Sequence, residues 1–183
     1  MQDTPELAVL RLGHRPGRDE RMTSHVGLTA RALGADRVIL AGDGASRRET
    51  IEDITDRFGG PFEVETTDSP LGQLDGWEGA VVHLTMYGLP IQDVEGEIRA
   101  AFHDGSPLLV VVGAEKVSFD VYEAADWNVG VTNQPHSEVA SLAVFLDRLF
   151  EGAELDREWD DAERAVVPQA EGKQVETGSA TNP

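Results

Sequence analysis

The sequence predicts an α/β fold: a mostly parallel sheet with helices on both faces. Three observations carry this expectation. Short apolar runs alternate with amphipathic segments along the 183 residues. The runs are six to eight residues long and rich in Val, Leu and Ile. One of them, "PLLVVVG" (107–113), is apolar at nearly every position, as a central parallel strand covered on both faces requires.

The first strand is "ELAVLRL" (6–12). In residues 22–34, Val26, Ala30 and Leu33 recur at helical spacing, and Gly34 is placed to end that helix. "RVILAG" (37–42) is the second strand. "GDGASR" (42–47) reads as a turn, because it lacks the third glycine of a dinucleotide fingerprint and follows the second strand rather than the first. Ser46 is positioned to cap "RRETIEDITDRF", with Glu49 as its capping-box partner. "FEVETT" (62–67) and "GAVVHLTM" (79–86) are further strands, and "IQDVEGEIRAAF" (91–102) is a helix following Pro90. After the central run comes "WNVGVT" (127–132), then the strongest helix, "SEVASLAVFLDRLF" (137–150). Its stripe is Val139, Leu142, Ala143, Leu146 and Leu149. Beyond Phe150 the chain carries nine acidic and three basic side chains. Residues 153–165 are expected to form a helix or partly ordered extension, and the last ten or so residues to be disordered. No internal repeat is apparent. The expected organisation is one domain over 1–152 and an acidic extension over 153–183.

Charge narrows the setting. Asp and Glu number 34 against 15 basic residues, of which only Lys116 and Lys173 are lysines, for a net charge of -19. Such a surface suits high ionic strength, where screening suppresses self-repulsion, so the sequence is halophile-like. Bulk charge therefore argues neither for nor against nucleic acid. Cysteine is absent, which excludes disulfides, thiolate metal sites and cysteine nucleophiles. The five histidines lack ligand spacing, so no metal is expected. No apolar run approaches a membrane span, and "MQDTPELAVL" lacks the pattern of a secretory signal; a cytoplasmic protein is expected. Neither a Walker phosphate loop nor a G-x-S-x-G elbow occurs.

Three stretches differ from plain scaffold. "GAEKV" (113–117) follows the central strand, where ligands collect at the carboxyl edge of parallel sheets; a simple strand-to-helix turn fits it equally well. "TNQPHSE" (132–138) gathers Asn, Gln, His, Ser and Glu before the strongest helix. Capping needs one polar residue rather than five, so this loop leans toward function. "LRLGHRPGRDERMTSH" (10–25) places Arg11, Arg15, Arg18 and Arg21 within an otherwise acidic chain, with Arg31 further along the same helix. These are either surface ion pairs or a phosphate-binding patch, since guanidinium forks match phosphate oxygens.

Together, "LRLGHRPGRDERMTSHV", "GAEKV" and "NQPHSEVASLAVFLDRL", with "VVPQAEGKQV" in the tail, closely resemble the archaeal tRNA methyltransferases that modify the ribose 2′-hydroxyl of cytidine 56 in the T-loop. These belong to the SPOUT class. The resemblance runs in order along nearly the whole chain. It implies a C-terminal trefoil knot with the cofactor site in roughly 80–150, S-adenosylmethionine as cofactor, a tRNA substrate and a homodimer that shares RNA-binding residues. Neither DNA nor a membrane is an expected partner. The cofactor-binding positions it implies are Leu84, Gly113, Ala114, Glu115, Lys116 and Val117, and Val131, Thr132, Asn133, Gln134, Pro135, His136, Ser137 and Glu138.

In related enzymes an N-terminal arginine is assigned to the reacting hydroxyl, which makes Arg15, Arg18 and Arg21 the catalytic candidates. An arginine with a pKa above about 12 serves better as an electrostatic stabiliser than as a base. His25 is the candidate proton acceptor, with a hydrogen bond at the helix start as its structural alternative. The wider ribose-methylating branch usually carries "SLNVS" on its last helix. Here the stretch is "SLAVF", with Ala143 and Phe145 at the polar positions. That shifts weight to the N-terminal segment and leaves Glu115 to orient cofactor or substrate. Two other readings are a SPOUT enzyme acting on another RNA site and a non-catalytic nucleotide- or RNA-binding protein.

Overall fold

A computed structural model describes residues 4–113 and 116–178. Six parallel strands form one sheet in the order β3-β2-β1-β5-β4-β6. They are β1 (Leu7–Leu12), β2 (Arg37–Ala41), β3 (Glu63–Thr67), β4 (Ala80–Pro90), β5 (Leu108–Gly113) and β6 (Trp127–Gly130). All six match runs that read as strands in the sequence. The central pair, β1 and β5, aligns Leu10 with Val111, and Leu10 also lies opposite Ile39 of β2.

The period of two along each strand sorts the core into two layers. Leu7 and Val9 of β1, with Leu108, Val110 and Val112 of β5, face the helices α1 (Glu20–Ala32), α2 (Arg48–Phe58), α4 (Ile91–His103) and α6 (Glu138–Phe150). Ala8, Leu10, Leu109 and Val111 face the opposite way, toward α3 (Pro70–Asp75) and α5 (Phe119–Ala124). That second layer is thin, because each of its helices has six residues.

Local chemistry sets the ends. Gly34 takes a left-handed conformation (φ 95°) after α1, and the Ala35 amide donates back to the Ala30 carbonyl, closing the helix as the sequence predicts. The Ser137 hydroxyl accepts from the Ala140 amide and caps α6. The capping box expected at Ser46 does not form. Residues Gly42–Arg47 make a 3-10 turn, Arg47 takes the cap position of α2, and the Ser46 hydroxyl donates to the Asp43 carbonyl instead.

The extension also departs from expectation. Residues 153–165 form no α-helix: Glu151 and Gly152 turn left-handed, Ala153–Asp156 make a 3-10 turn, and Arg164–Val167 is a strand, β7. It pairs antiparallel with β8 (Gln174–Thr177), inside the stretch expected to be disordered. Residues 179–183 lie outside the described residues. No helix among the described residues is long and apolar enough to cross a membrane.

Candidate active site

Outgoing connections diverge where β1 meets β5: the chain leaves β1 toward β2 on one side and leaves β5 toward β6 on the other. Ligands in parallel α/β sheets bind at such a switch, beyond the carboxyl ends of the strands. Two cavities open there. The first, about 290 Å³, is lined by residues of β4, β5, α5 and the β6–α6 loop. The second, about 550 Å³, lies between the β1–α1 loop, α3 and the β5–α5 loop, and shares Val117 with the first.

The first cavity owes its shape to a detour in β4. Leu84 and Leu89 both lie opposite Val129 of β6, so residues 85–88 loop out of the sheet. Glycine allows β6 to pass against this loop: a side chain at Gly88 would meet the Asn128 carbonyl at 2.5 Å, and one at Gly130 the Gly88 carbonyl at 3.1 Å. The Asn133 amide nitrogen donates to the Met86 carbonyl (2.6 Å) and the Gly88 carbonyl (3.1 Å), tying the β6–α6 loop to the detour.

Of the residues implied for the cofactor, Leu84, Gly113, Val117, Pro135, His136 and Glu138 line this cavity. Lys116 lines the second cavity instead. Val131, Thr132, Asn133, Gln134 and Ser137 line neither. Asn133 braces the loop, the Gln134 carbonyl lies 2.6 Å from His136 Nδ1, and Ser137 caps α6. Ala114 and Glu115 lie outside the described residues.

His83, Thr85, Tyr122 and Ser141 also line the first cavity, and motif spacing did not single them out. The signal at His83 is a polar residue at an inward strand position, whereas Thr85 lies in the detour and Tyr122 and Ser141 lie on α5 and α6, where no such pattern marks them. His83 is fully buried and Asn128 lies opposite it in β6. The Asn128 amide nitrogen donates to the Tyr122 carbonyl (2.9 Å), which turns Oδ1 toward His83 Nδ1 (2.9 Å). Nδ1 therefore carries the ring proton and Nε2 keeps a lone pair. That Nε2 is buried and has no partner among the described residues. Burial pushes the imidazole pKa down, which keeps it neutral. Tyr122 packs edge-on against the ring, and its hydroxyl lies 3.0 Å from Thr85 Oγ1.

The arginine cluster divides by role. Arg11 is no part of a surface patch: it is 1% exposed and pairs with Glu138 at 3.0 Å. Arg31 is buried at the far end of α1, donating to the Gly59 carbonyl and lying over the Trp159 ring. Arg15 borders the second cavity, its fork held by Asp19 through Nε (3.0 Å) and Nη2 (2.9 Å). The side-chain hydrogen bonds from Arg15, against the opposing effect of burial, lower the Asp19 carboxyl to about 2. Arg18, Arg21 and His25 are exposed and line neither cavity, and His25 makes no helix-start hydrogen bond among the described residues. His14 does border the second cavity, with Nδ1 2.7 Å from Thr23 Oγ1.

Residues 58–176 match the family model described as tRNA ribose 2'-O-methyltransferase, aTrm56. The chain is 69% identical over 175 residues to a protein of Haloarcula marismortui, covering 96% of this chain and 97% of that one. It is 55% identical over 172 residues to a protein of Thermococcus kodakarensis, covering 92% and 96%. Both are named tRNA (cytidine(56)-2'-O)-methyltransferase. Among solved structures, the SpoU methyltransferase AviRb from Streptomyces viridochromogenes, in complex with the cofactor AdoMet, superposes with a TM-score of 0.56 at 18% identity, over 84% of this chain and 59% of that chain. The TrmH/SpoU tRNA modifying enzyme of A. aeolicus gives 0.54 at 16%, over 85% and 78%. At these identities the structures speak to fold, which is of the SPOUT type; the sequence match goes further, and the chain belongs to the archaeal tRNA ribose 2'-O-methyltransferase family, aTrm56.

Proposed function

We propose that the protein transfers a methyl group from S-adenosylmethionine to the ribose 2′-hydroxyl of cytidine 56 in the tRNA T-loop, working in the cytoplasm as a homodimer. The observation that carries the reading is the first cavity, built by the loops that the family's motifs specify. Its chemistry fits the cofactor. The lone pair at His83 Nε2 calls for a hydrogen-bond donor, and S-adenosylmethionine brings an ammonium, an adenine amino group and ribose hydroxyls. When bound, the cofactor supplies an electrophilic methyl group on a sulfonium.

The chain's own residues do the rest. Leu84, Gly113, Val117, Pro135, His136 and Glu138 enclose the cofactor, and Asn133 fixes the loop above it. Alignment of donor and acceptor supplies much of the rate. Arg15, oriented by Asp19, stabilises the negative charge that develops as the hydroxyl loses its proton. Arg18, Arg21 and His25 present an exposed ridge to the RNA, or to the active site of a second subunit. Tyr87, Leu89 and Phe119, 77%, 60% and 84% exposed, give that second subunit an apolar rim to cover. The passage of β6 against the 85–88 loop supports the trefoil threading, and the order of the elements supports a catalytic unit over 1–152 with an acidic extension beyond it.

The test uses purified protein in molar potassium chloride, labelled S-adenosylmethionine and unmodified tRNA transcripts. Label on the ribose of the T-loop cytidine is expected, and a cytidine-to-uridine transcript should abolish it. Label on another nucleotide would overturn the assignment. Light scattering at the same salt should return twice the mass of one chain.

A further inference from the structure

We propose that the second cavity is the acceptor site: it receives a pyrimidine ribonucleotide turned out of the RNA, with its base against Pro70 and Leu71 and its phosphate held by Lys116. The inference rests on the methyltransferase reading and adds the place where the substrate sits.

The cavity lies where β1 and β5 part company, bounded by the β1–α1 loop on one side and residues 116–118 on the other. That is the crevice in which parallel sheets hold ligands. It also adjoins the cofactor cavity across Val117, so a nucleotide there would lie next to the methyl donor. Proximity of this kind is required, because transfer needs the two reacting atoms within van der Waals reach.

Shape and chemistry agree with position. A volume of about 550 Å³ is in the range of sites for small ligands. Leu12, Pro70, Leu71, Val117 and Val121 make an apolar wall of the kind that takes the face of a base. Leu71 is 39% exposed, an apolar side chain that a base would cover. Taking a nucleotide out of its stack is unfavourable, and such a wall offsets part of that cost.

Lys116 is one of two lysines in a chain with 34 carboxylates, and it has no ion-pair partner among the described residues. Arg15 at the same rim is paired with Asp19, so its guanidinium acts locally on the reacting hydroxyl while the pair adds no net charge to the mouth. The net positive charge at the mouth is that of Lys116. An exposed ammonium at an apolar cavity suits the phosphate of the nucleotide whose base fills it. Lys116 thus acts on the acceptor rather than on the cofactor.

The experiment starts from wild-type protein with S-adenosylhomocysteine and a tRNA transcript carrying 5-iodocytidine at the target position. Irradiation followed by peptide mapping is expected to place the cross-link on residues 70–71 or 116–121; a cross-link found only elsewhere overturns the site. Leu71→Asp and Lys116→Ala are expected to raise the KM for tRNA at least about fivefold, with cofactor affinity held within about twofold. If both variants keep the wild-type KM and kcat, the site is overturned as well. Transfer by wild-type protein is measured first. Its absence overturns the functional reading together with this one, whereas transfer with the cross-link elsewhere removes the acceptor site alone.

Discussion

Arg11 occupies a strand position, two residues on from Val9, where the core-facing period calls for an aliphatic side chain. It holds two loops at once. One end of its guanidinium meets Glu138, which lines the first cavity, and the other meets the carbonyl of Gly13, which borders the second. Burial lowers its pKa, against the opposing pull of Glu138, yet an arginine stays charged throughout the working range. Removing one member of a buried pair leaves the other uncompensated, so Arg11→Met should cost about 3 kcal/mol in chemical denaturation. Glu138→Gln should cost less, and the double variant should show a coupling of about 1 kcal/mol or more; strict additivity would mean that the pair does not act as one. His83 asks a different question, because its buried Nε2 has no partner among the described residues and is open to a ligand's donor. His83→Phe keeps the ring against Tyr122 but loses the Nε2 acceptor. Calorimetric titration should show cofactor affinity reduced about tenfold, while stability should fall only by what the lost Nδ1 bond to Asn128 contributes, about 1 to 3 kcal/mol. An unchanged affinity would take His83 out of the binding set. Both residues sit in strands that composition alone marks as apolar, so residue spacing reveals neither the role of His83 nor the burial of Arg11.

At the scale of elements, the long apolar runs were legible and the short or exposed pieces were not. All six sheet strands and the four long helices follow from periodicity, since each buries a face wide enough to leave a pattern. α3 and α5 have six residues each, less than two turns, so no stripe can repeat. β7 and β8 are almost wholly exposed and lack the alternation of a half-buried strand. What holds this extension to the body is a side-chain clasp. Both Arg31 (4.2 Å) and Arg157 (4.9 Å) lie against the Trp159 ring, and the Gly60 amide donates to the Asp160 carbonyl (3.1 Å). A two-stranded hairpin is marginal by itself, so its order depends on that anchor. Trp159→Ala should lower stability by about 2 kcal/mol and release the segment after Arg157. Hydrogen exchange is the discriminating measurement: protection should fall across 159–178 and persist in β1 and β5. Uniform loss would mean that the tryptophan supports the whole core.

For the molecule as a whole, the sequence singled out loops that line the first cavity but did not point to the second, because that cavity joins residues 12–15, 70–71 and 116–121, which only the sheet order brings together. The same assembly sets the response to acid. Asp19 is lowered from 3.8 to about 2, so its stabilising effect is complete above the unfolded value and is lost as pH falls toward 2. His83 is lowered from 6.5 by burial; the unfolded chain takes up that proton first, so stability declines as pH drops below about 6.5. Burial raises the Glu154 carboxyl, which works in the opposite direction as acid protonates it. Melting temperature should therefore fall in two steps on acidification, and His83→Phe should remove the upper step while leaving the one below pH 4. Salt divides the molecule in another way. A net charge of -19 repels itself in the folded state, and raising potassium chloride from about 0.1 M to about 1 M shortens the Debye length from about 10 Å to about 3 Å. Thermal stability should climb over that range. Affinity for tRNA should move the other way, since each phosphate contact forfeits counterion release as salt rises. With Lys116 as a phosphate contact, a plot of log affinity against log salt for Lys116→Ala should be shallower than wild type by about 0.7 to 0.9. A parallel plot would leave the ammonium without a phosphate, and the apolar wall would then have to hold the nucleotide by its base alone.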